Sequence, residues 1–209
     1  GEVNIVAVAG DGATADCGFQ SLSGAAERGE KMLYVCYDNE GYMNTGYQRS
    51  STTTEGSRTS TTPLGSAISG KQQAQKYVPL ILAMHGVEYC ATATPWNMRD
   101  MVEKIEKGLA ASKRGFAYLH VFTPCPTGWS FPPDQTIEVS KLAVKSNMFP
   151  LWECSGGKYT LNYKNPEPMP VSEFVKGIGK FKKLSAEQLA SVQHAADERY
   201  AVVSALAAI

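Results

Sequence analysis

Two short polar segments, Gly10-Asp11-Gly12 and one that begins at Asn39, carry residues that could bind a metal ion and an anion together. The two glycines permit tight turns and let main-chain N–H groups approach an anion closely. Asp11 and Asn39 offer a carboxylate and an amide oxygen, and the carbonyl of Gly41 could add a third ligand. Hard oxygen ligands suit Mg²⁺, which also coordinates substrate phosphates. The pattern indicates a metal-bridged diphosphate, although Gly-Asp-Gly alone is more often an ordinary turn.

Each of these segments follows an apolar run that predicts a buried strand, Val3 to Ala9 in the first case and Met32 to Tyr37 in the second. Between the runs, Cys17 to Arg28 has the apolar spacing of a helix. Gly29 is its C-cap candidate, and Asp16 is expected as its N-cap rather than as a catalytic residue. In a βαβ unit the C-terminal ends of the two parallel strands meet at one edge of the sheet. Both polar segments are therefore expected at that edge.

A longer sequence pattern relates the chain to a known family. Ala13 to Asp38, 26 residues, separate Gly-Asp-Gly from the asparagine, an interval that closely resembles the thiamine diphosphate motif. The strings YDNEGYMNTGYQRSS, Tyr37 to Ser51, and HVFTPCPTGW, His120 to Trp129, look like the β subunit of the 2-oxoacid:ferredoxin oxidoreductases, the pyruvate:ferredoxin oxidoreductase group. The tail after Pro168 is similar as well, so the resemblance covers nearly all of the 209 residues.

This resemblance implies an α/β fold of the thiamine-diphosphate-binding type, with a mostly parallel sheet and helices on both faces. It implies that Asp11, Asn39 and the Gly41 carbonyl hold Mg²⁺, which clamps the diphosphate of the cofactor. Asn44 and Thr45 lie close enough along the chain to touch the diphosphate or the substrate, and Asn44 is the expected catalytic residue. The full set of expected cofactor contacts is Gly10, Asp11, Gly12, Ala13, Asn39, Gly41, Met43, Asn44 and Thr45.

The five cysteines predict neither a zinc site nor a self-contained iron–sulfur site, because no CxxC occurs. Cys17, Cys36 and Cys90 are expected to be packed, and Cys154 receives no role. Cys125 lies between two prolines, which would hold it rigidly. In the resembled family a cysteine here is the last ligand of a [4Fe–4S] cluster, whose other ligands come from an N-terminal part outside this sequence. One thiolate cannot bind such a cluster alone, so the cluster is expected only in the intact assembly.

The resemblance also implies a reaction and partners. The chain would be the thiamine-diphosphate-binding subunit of an enzyme that oxidatively decarboxylates a 2-oxoacid, with pyruvate as the first expected substrate. Coenzyme A would accept the acyl group, and electrons would pass through [4Fe–4S] clusters to ferredoxin. Thiamine enzymes activate the aminopyrimidine ring with a carboxylate from a different domain, so a partner is expected to complete the active site. The expected partners are a pyrimidine-domain subunit, a coenzyme A-binding domain, a ferredoxin-like subunit and ferredoxin.

Alternative functions remain open at this level. A non-oxidative thiamine-dependent decarboxylase or transferase would share Gly-Asp-Gly and Asn39 without needing the loop around Cys125. Branched-chain, aromatic or other 2-oxoacids could replace pyruvate. In a non-enzymatic phosphate-binding or scaffold module, Gly-Asp-Gly would be only a turn, and substitution of Asp11 would leave cofactor binding unchanged.

Charge and length exclude some classes of function. Lys+Arg and Asp+Glu both total 20, which argues against nucleic acid or an anionic membrane as the main partner. No apolar run approaches the ~20 residues that span a bilayer, and no signal peptide is visible, so a soluble cytoplasmic chain is expected. We expect an α/β domain at 1–165, lacking its N-terminal part, and a linker with a helical tail at 166–209 that packs on the domain or on a partner.

The segment Gln48 to Gly70 is rich in Ser, Thr and Gly and lacks apolar periodicity, which predicts a loop. It is expected to be a lid or subunit contact beside the cofactor rather than a mobile surface linker. Arg49 and Arg58 within it could meet a substrate carboxylate or a partner chain.

Further along, the sequence predicts several elements around this framework. They begin with a helix end or buried segment at 78–84 and strands at 87–91 and 116–122, with His120 as a hydrogen-bonded core residue. A helix is expected to start at Thr94-Pro95, with an apolar stripe of Met98, Met101, Val102, Ile105 and Leu109 and a Glu103–Lys107 pair. A helix opened by Asp134 is expected to turn Ile137, Leu142 and Ala143 inward. A hairpin around 155–157 and a last helix with a Ser185/Gln188 capping box complete the set.

Overall fold

A computed structural model describes residues 3–65 and 69–209 of the chain, which contain a six-stranded mixed sheet. The strands are β1 (Val6–Gly10), β2 (Met32–Asp38), β3 (Tyr89–Ala93), β4 (Phe116–Phe122), β5 (Trp152–Ser155) and β6 (Lys158–Leu161), in the order β1-β2-β4-β3-β5-β6. Neighbours among the first four strands are parallel, whereas β5 is antiparallel to β3 and to β6. The predicted mostly parallel sheet and its C-terminal hairpin are therefore confirmed.

Seven α-helices accompany the sheet in the described part of the chain. They are α1 (Phe19–Glu27), α2 (Val78–Ala83), α3 (Met98–Ala111), α4 (Pro126–Trp129), α5 (Thr136–Lys145), α6 (Val171–Val175) and α7 (Ala186–Leu206). The predicted capping box is present at the start of α7, where Ser185 and Gln188 bond to each other's backbone N–H. None of the helices among the described residues combines the length and apolar character needed to cross a bilayer.

The core lies on both faces of the sheet, because successive strand residues point to opposite sides. On one face Cys36 and Tyr118 pack with α1 and α2, and on the other Leu33 and Leu119 pack with α3. A further cluster around Trp129 joins α4 to helices α5, α6 and α7. Helices on both faces are thus confirmed, while the division of the chain at residue 165 stays a prediction.

The entry into the first helix differs from the prediction. Residues Gly12–Cys17 form a π-helical turn, and α1 begins only after Gly18. Because this wide turn separates Asp16 from the start of α1, Asp16 is not its N-cap and accepts hydrogen bonds from Ser51 instead. Cys17 is exposed rather than packed. Gly29 does end the helix as expected, in the left-handed conformation with φ of 66°.

The helical run begins at Thr94-Pro95 as predicted, but it begins as a 3₁₀ turn in which Thr94 has the N-cap position without a capping side-chain bond. α3 follows directly, and its own N-cap is Asn97, whose side chain accepts from the backbone N–H of Asp100. The predicted Glu103–Lys107 ion pair is wrong. Glu103 pairs with Arg99, one turn earlier, at 3.1 Å. Lys107 instead reaches Glu153 on the neighbouring strand β5 at 2.7 Å, a tertiary contact that helical spacing does not reveal.

The predicted apolar stripes of α3 and α5 include residues that the structure leaves exposed. Met98 and Val102 on α3 are 54% and 46% exposed, and Ile137 on α5 is 52% exposed. The face of α3 that meets the sheet includes Gly108, whose missing Cβ makes room for Leu33. Sequence periodicity gives the apolar arc of a helix but not the width of its contact with the sheet.

Candidate functional site

The segments that follow β1 and β2 lie side by side at the C-terminal edge of the sheet, as the βαβ pattern predicted. They form the wall of an open cavity of about 380 Å³. All nine expected cofactor contacts line it, namely Gly10, Asp11, Gly12, Ala13, Asn39, Gly41, Met43, Asn44 and Thr45. The structure thus brings the whole set together, and their contact with a cofactor stays a prediction.

The three expected magnesium ligands converge on one point. One terminal atom of the Asn39 amide lies 2.8 Å from the Gly41 carbonyl oxygen and 3.1 Å from Asp11 Oδ1. If that atom is nitrogen, it donates hydrogen bonds to both oxygens; if it is oxygen, three acceptors face each other with no proton between them. Adjacent ligands of an octahedral Mg²⁺ are about 2.9 Å apart, given metal–oxygen distances of 2.0–2.1 Å. The donor set therefore fits Mg²⁺ in chemistry and in spacing.

The electrostatics of Asp11 favour a cation at this point. Its side chain is 1% exposed, and burial, followed by the nearby charge of Asp38, raises the pKa of the carboxyl to about 7. Thr52 Oγ1 and the backbone N–H of Asn39 donate to it at 3.1 and 3.4 Å and oppose that shift. A buried carboxylate near a second carboxylate is costly to ionise unless a positive charge is close. A bound divalent ion would supply that charge.

The turn after β1 is held by Tyr42 from the second segment. Its hydroxyl lies 3.1 Å from the Gly12 carbonyl oxygen and 3.2 Å from Asp16 Oδ2, and it can donate its one proton to either. A Cβ at Gly12 would lie 2.5 Å from the Tyr42 ring, so a side chain there would displace it. This close packing requires Gly12, in addition to the tight turn and the anion approach that were expected from the sequence.

A buried ion pair that sequence analysis missed supports the second segment. Lys180 Nζ lies 2.6 Å from Glu40 Oε2, and the two side chains are 0% and 3% exposed. The same ammonium lies 3.2 Å from the centre of the Trp129 ring, whose Nε1 donates to the Asn39 carbonyl at 2.8 Å. Lys180 thereby connects the C-terminal part of the chain to the expected metal-binding segment and to α4. No local pattern marks it, because its partner is 140 residues away.

A second, larger cavity of about 590 Å³ adjoins the first, and Met43 and Asn44 line both. Cys125 is part of its wall, together with Arg58 and Lys180. Cys125 is half-buried at the start of α4, where its sulfur accepts from the backbone N–H of Gly128 at 3.4 Å. An N–H···S contact of this kind stabilises a thiolate. The structure therefore places the expected iron ligand beside the expected cofactor cavity.

Cys125 has no partner cysteines nearby in the described structure. The other four cysteines are free, and Cys36, Cys90 and Cys154 are buried in the core, as expected for the first two. No group of three or more His, Cys, Asp or Glu side chains suited to a metal ion occurs among the described residues. A four-thiolate cluster would need cysteines from outside residues 3–65 and 69–209.

The Ser/Thr-rich loop packs against these segments instead of extending into solvent. Ser50, Thr52, Thr53 and Thr54 are buried. Lys71 orders the loop from within, because its ammonium donates to the carbonyls of Thr53, Ala74 and Ser51 at 2.6, 3.1 and 3.3 Å. Burial, and then the charge of Arg49, lowers the pKa of Lys71 to about 8. The interpretation as a surface linker is wrong for the described part, while residues 66–68 of the predicted loop lie outside it.

Comparison with known proteins identifies the class. Residues 1–121 match the family described as "Thiamine pyrophosphate enzyme, C-terminal TPP binding domain". The chain therefore belongs to the thiamine pyrophosphate enzymes.

More similar proteins narrow this class. The chain is 49% identical to the NADH-dependent phenylglyoxylate dehydrogenase subunit beta of Aromatoleum evansii over 92% of its own length and 43% of the relative. It is 46% identical to pyruvate synthase subunit PorB of Methanothermobacter marburgensis over 94% of its own length and 68% of the relative. It is 45% identical to ketoisovalerate oxidoreductase subunit VorB of Pyrococcus abyssi over 91% of its own length and 61% of the relative. It is a member of the β-subunit family of the 2-oxoacid:ferredoxin oxidoreductases. Thiamine diphosphate, Mg²⁺ and [4Fe–4S] clusters are the cofactors of this family's assemblies.

The fold agrees with this family. The structure of 2-oxoglutarate:ferredoxin oxidoreductase from Magnetococcus marinus, with 2-oxoglutarate, coenzyme A and succinyl-CoA bound, matches 96% of this chain and 63% of that one with a TM-score of 0.57. Sequence identity is 23%, so this match supports the fold alone. The chain spans between 43% and 68% of the length of the curated relatives named above.

Proposed function

We propose that this chain is the thiamine-diphosphate-binding subunit of a 2-oxoacid:ferredoxin oxidoreductase. The enzyme would decarboxylate a 2-oxoacid oxidatively and transfer the acyl group to coenzyme A, releasing CO₂ and passing electrons through [4Fe–4S] clusters to ferredoxin. The convergence of Asp11 Oδ1, the Asn39 amide and the Gly41 carbonyl, in a cavity lined by all nine expected residues, carries this proposal.

The residues of this chain have distinct roles in the proposal. Asp11, Asn39 and Gly41 hold the metal, and backbone N–H groups near Gly12 and Ala13 bind the diphosphate through which the metal fixes the cofactor. When bound, thiamine diphosphate supplies the electron sink for decarboxylation, and the protein supplies position and polarity. Asn44 lines both cavities and is proposed to orient the substrate or the diphosphate, with Thr45 and Met43 beside it.

We propose a 2-oxoacid as the substrate, and pyruvate as the first candidate. The relatives are named for phenylglyoxylate, pyruvate and ketoisovalerate, which share a carboxylate next to a carbonyl and differ in the third substituent. Arg58 and Lys180 both line the larger cavity, and Lys180 is paired with Glu40, so we propose Arg58 as a contact for an anionic substrate or partner.

The proposed assembly includes further subunits. A pyrimidine-domain subunit would supply the carboxylate that activates the aminopyrimidine ring, and a coenzyme A-binding domain and a ferredoxin-like subunit would complete the electron path. Three relatives of this chain are named as subunits, which supports a hetero-oligomer. A cytoplasmic location for the assembly stays a prediction.

The decisive experiment is anaerobic viologen reduction by the native complex, tested with a panel of 2-oxoacids and coenzyme A. Rapid turnover with one 2-oxoacid is expected, and it would define the reaction class and the substrate together. If no 2-oxoacid supports reduction in a preparation that retains thiamine diphosphate, the oxidoreductase is excluded. A non-oxidative thiamine enzyme would then remain.

Cys125 gives a second prediction. In the native complex, Cys125→Ser is expected to remove about four irons and the paramagnetic signal of one cluster, because a [4Fe–4S] cluster needs four thiolates. Iron analysis and low-temperature electron paramagnetic resonance of the reduced complex measure this loss. The matched control is Cys17→Ser, an exposed cysteine. An unchanged iron content in Cys125→Ser would exclude Cys125 as a ligand.

A further inference from the structure

The segments after β1 and after β2, which line the expected cofactor cavity, are called here the two cofactor segments. The run Ser50 to Thr54 lies between them and bonds to both. The backbone N–H of Ser51 donates to Asp16 on the first segment at 3.1 and 3.2 Å. Thr53 Oγ1 donates to the Glu40 carbonyl at 2.7 Å, and both the N–H and the hydroxyl of Thr54 donate to the Glu40 carboxylate at 2.9 and 2.7 Å. Consecutive residues of one loop thus hold the segment after β1 and the segment after β2 at a fixed separation.

Two members of this run act on the expected metal-binding carboxylate, because hydrogen bonds from the Ser50 and Thr52 hydroxyls both lower the pKa of Asp11, and Ser50 Oγ lies 3.1 Å from Thr52 Oγ1. Thr52 is the one that also reaches Asp38. Its side chain is buried, and Oγ1 lies 3.1 Å from Asp11 Oδ2 and 2.8 Å from Asp38 Oδ1. The two oxygens of Asp11 therefore have different environments: Oδ2 faces the Thr52 hydroxyl, and Oδ1 faces the Asn39 amide near the Gly41 carbonyl. This division leaves Oδ1 as the oxygen that points to the metal position.

A hydroxyl carries a single proton, so Thr52 cannot donate to both carboxylates at once. Asp38 does not depend on it, since the backbone N–H of Glu40 reaches Asp38 Oδ1 at 2.8 Å and His120 Nε2 lies 2.9 Å from Asp38 Oδ2. His120 is fixed in turn by the Tyr118 hydroxyl, 2.7 Å from Nδ1. The Thr52 proton can therefore turn from Asp38 to Asp11 while Asp38 keeps its bonds to Glu40 and His120, and the bond from His120 to Tyr118 fixes Asp38 against strand β4.

We infer that Thr52 is a positioning residue for the metal site, which orients the Asp11 carboxylate so that Oδ1 is presented to the ion. Thr52 would not touch the ion itself; it acts through Asp11, and its proton is available because Asp38 is bonded to Glu40 and to His120, which Tyr118 fixes. The inference rests on the magnesium site of the proposed function. Groups that orient a metal ligand typically change metal affinity by about 10–100-fold when they are removed.

The test is metal affinity rather than turnover. The native complex is stripped of metal and cofactor, and Mg²⁺ is titrated in the presence of saturating thiamine diphosphate, with Mn²⁺ and its electron paramagnetic resonance spectrum as a second probe. Thr52→Val, which keeps the shape of the side chain and removes the hydroxyl, is expected to weaken Mg²⁺ binding by about 10–100-fold. Thr52→Ser restores the hydroxyl and is expected to bind within about threefold of the unaltered complex, a rescue that a purely volume-filling role does not predict.

Two further variants keep the test decisive. Thr62→Val is the matched control, because its hydroxyl bonds to the carbonyl of Ser57 within the loop and to neither cofactor segment. His120→Leu removes the donor to Asp38 Oδ2, so Asp38 competes more strongly for the Thr52 proton. It is expected to weaken Mg²⁺ binding less than Thr52→Val does, which gives a second reading if Thr52→Val does not fold. Equal affinity in Thr52→Val, or in His120→Leu where only that variant folds, overturns the inference while the proposed function stands. Failure of the unaltered complex to bind Mg²⁺ with thiamine diphosphate overturns both.

Discussion

Replacement of Asp11 by asparagine is expected to weaken magnesium-dependent binding of thiamine diphosphate by more than about 100-fold, since even groups that only support a metal ligand change affinity by about 10–100-fold. Asp11 is the only carboxylate in the converging set, so its removal leaves an amide and a carbonyl, which are neutral ligands. The measurement is a calorimetric titration of the metal-free complex with thiamine diphosphate at fixed Mg²⁺. Asp134→Asn, at an exposed acidic residue, is the matched control.

The same substitution should stabilise the metal-free protein at high pH. Burial raises the pKa of Asp11 from 3.8 to about 7, so between these values the unfolded chain releases a proton that the folded chain keeps. The contribution of Asp11 to the free energy of unfolding therefore falls as pH rises from about 4 to about 7 and stays low above that. Thermal unfolding in the presence of a chelator at pH 5 and pH 8 should show that Asp11→Asn gains stability mainly at pH 8.

The binding experiment has its own contradicting outcome. If Asp11→Asn binds thiamine diphosphate with the same affinity as the unaltered chain, the proposed metal site is refuted.

Replacement of Lys180 by methionine is expected to cost about 3–5 kcal/mol of unfolding free energy, because removing one member of a buried ion pair leaves the other charge uncompensated. Glu40 would keep its bonds from Thr54 but lose the ammonium at 2.6 Å. Cofactor affinity should fall as well, since Glu40 directly precedes the Gly41 carbonyl that faces the metal position. Chemical denaturation and cofactor titration measure the two effects.

The control for Lys180 is a lysine whose ion pair is exposed. Lys141 pairs with Glu138 one turn earlier at 3.0 Å, with 36% and 53% of the two side chains exposed. Lys141→Met should lower the free energy of unfolding by no more than about 0.5 kcal/mol, because exposed ion pairs generally contribute little to stability. Combining Lys180→Met with Glu40→Gln should recover part of the loss, because no unpaired charge then remains buried. If Lys180→Met costs no more than Lys141→Met, the ion pair does not support the site.

The arrangement of the first cofactor segments could be predicted from sequence because it depends on neighbouring elements. The strand ends at Gly10 and Asp38 follow from two apolar runs and one intervening helix, and the parallel βαβ rule then places the following residues together. The first run was wrongly predicted to be a buried strand over Val3 to Ala9, because β1 (Val6–Gly10) lies at the edge of the sheet and its Val6 and Val8 are 47% and 63% exposed. The hairpin around Gly156 and Gly157 was predictable for a similar reason, since both residues adopt positive φ and close a tight turn between adjacent strands.

Residues that act over long sequence distances were not predictable. Lys180 lies in a basic stretch with no periodicity. Its burial depends on contacts with Glu40 and Trp129, which are distant from it in sequence. Thr52 looked like one more residue of a polar loop, because hydroxyl partners leave no pattern in composition. Asp16 was misassigned for the opposite reason: a local capping rule was applied where a wide turn, held by Tyr42 and Ser51, governs the geometry.

The orientation of the Asn39 amide distinguishes the empty form of the proposed metal site from the filled form. With its nitrogen toward Asp11 Oδ1 and the Gly41 carbonyl, the side chain closes the site with two hydrogen bonds of 3.1 and 2.8 Å. Turned by half a rotation, it offers an oxygen at the same place. In the proposed site, one amide rotation would therefore separate the empty form from the filled one. Metal entry would replace the two hydrogen bonds of Asn39 with bonds to the cation, and the expectation is that magnesium can leave and return without refolding of this edge of the sheet.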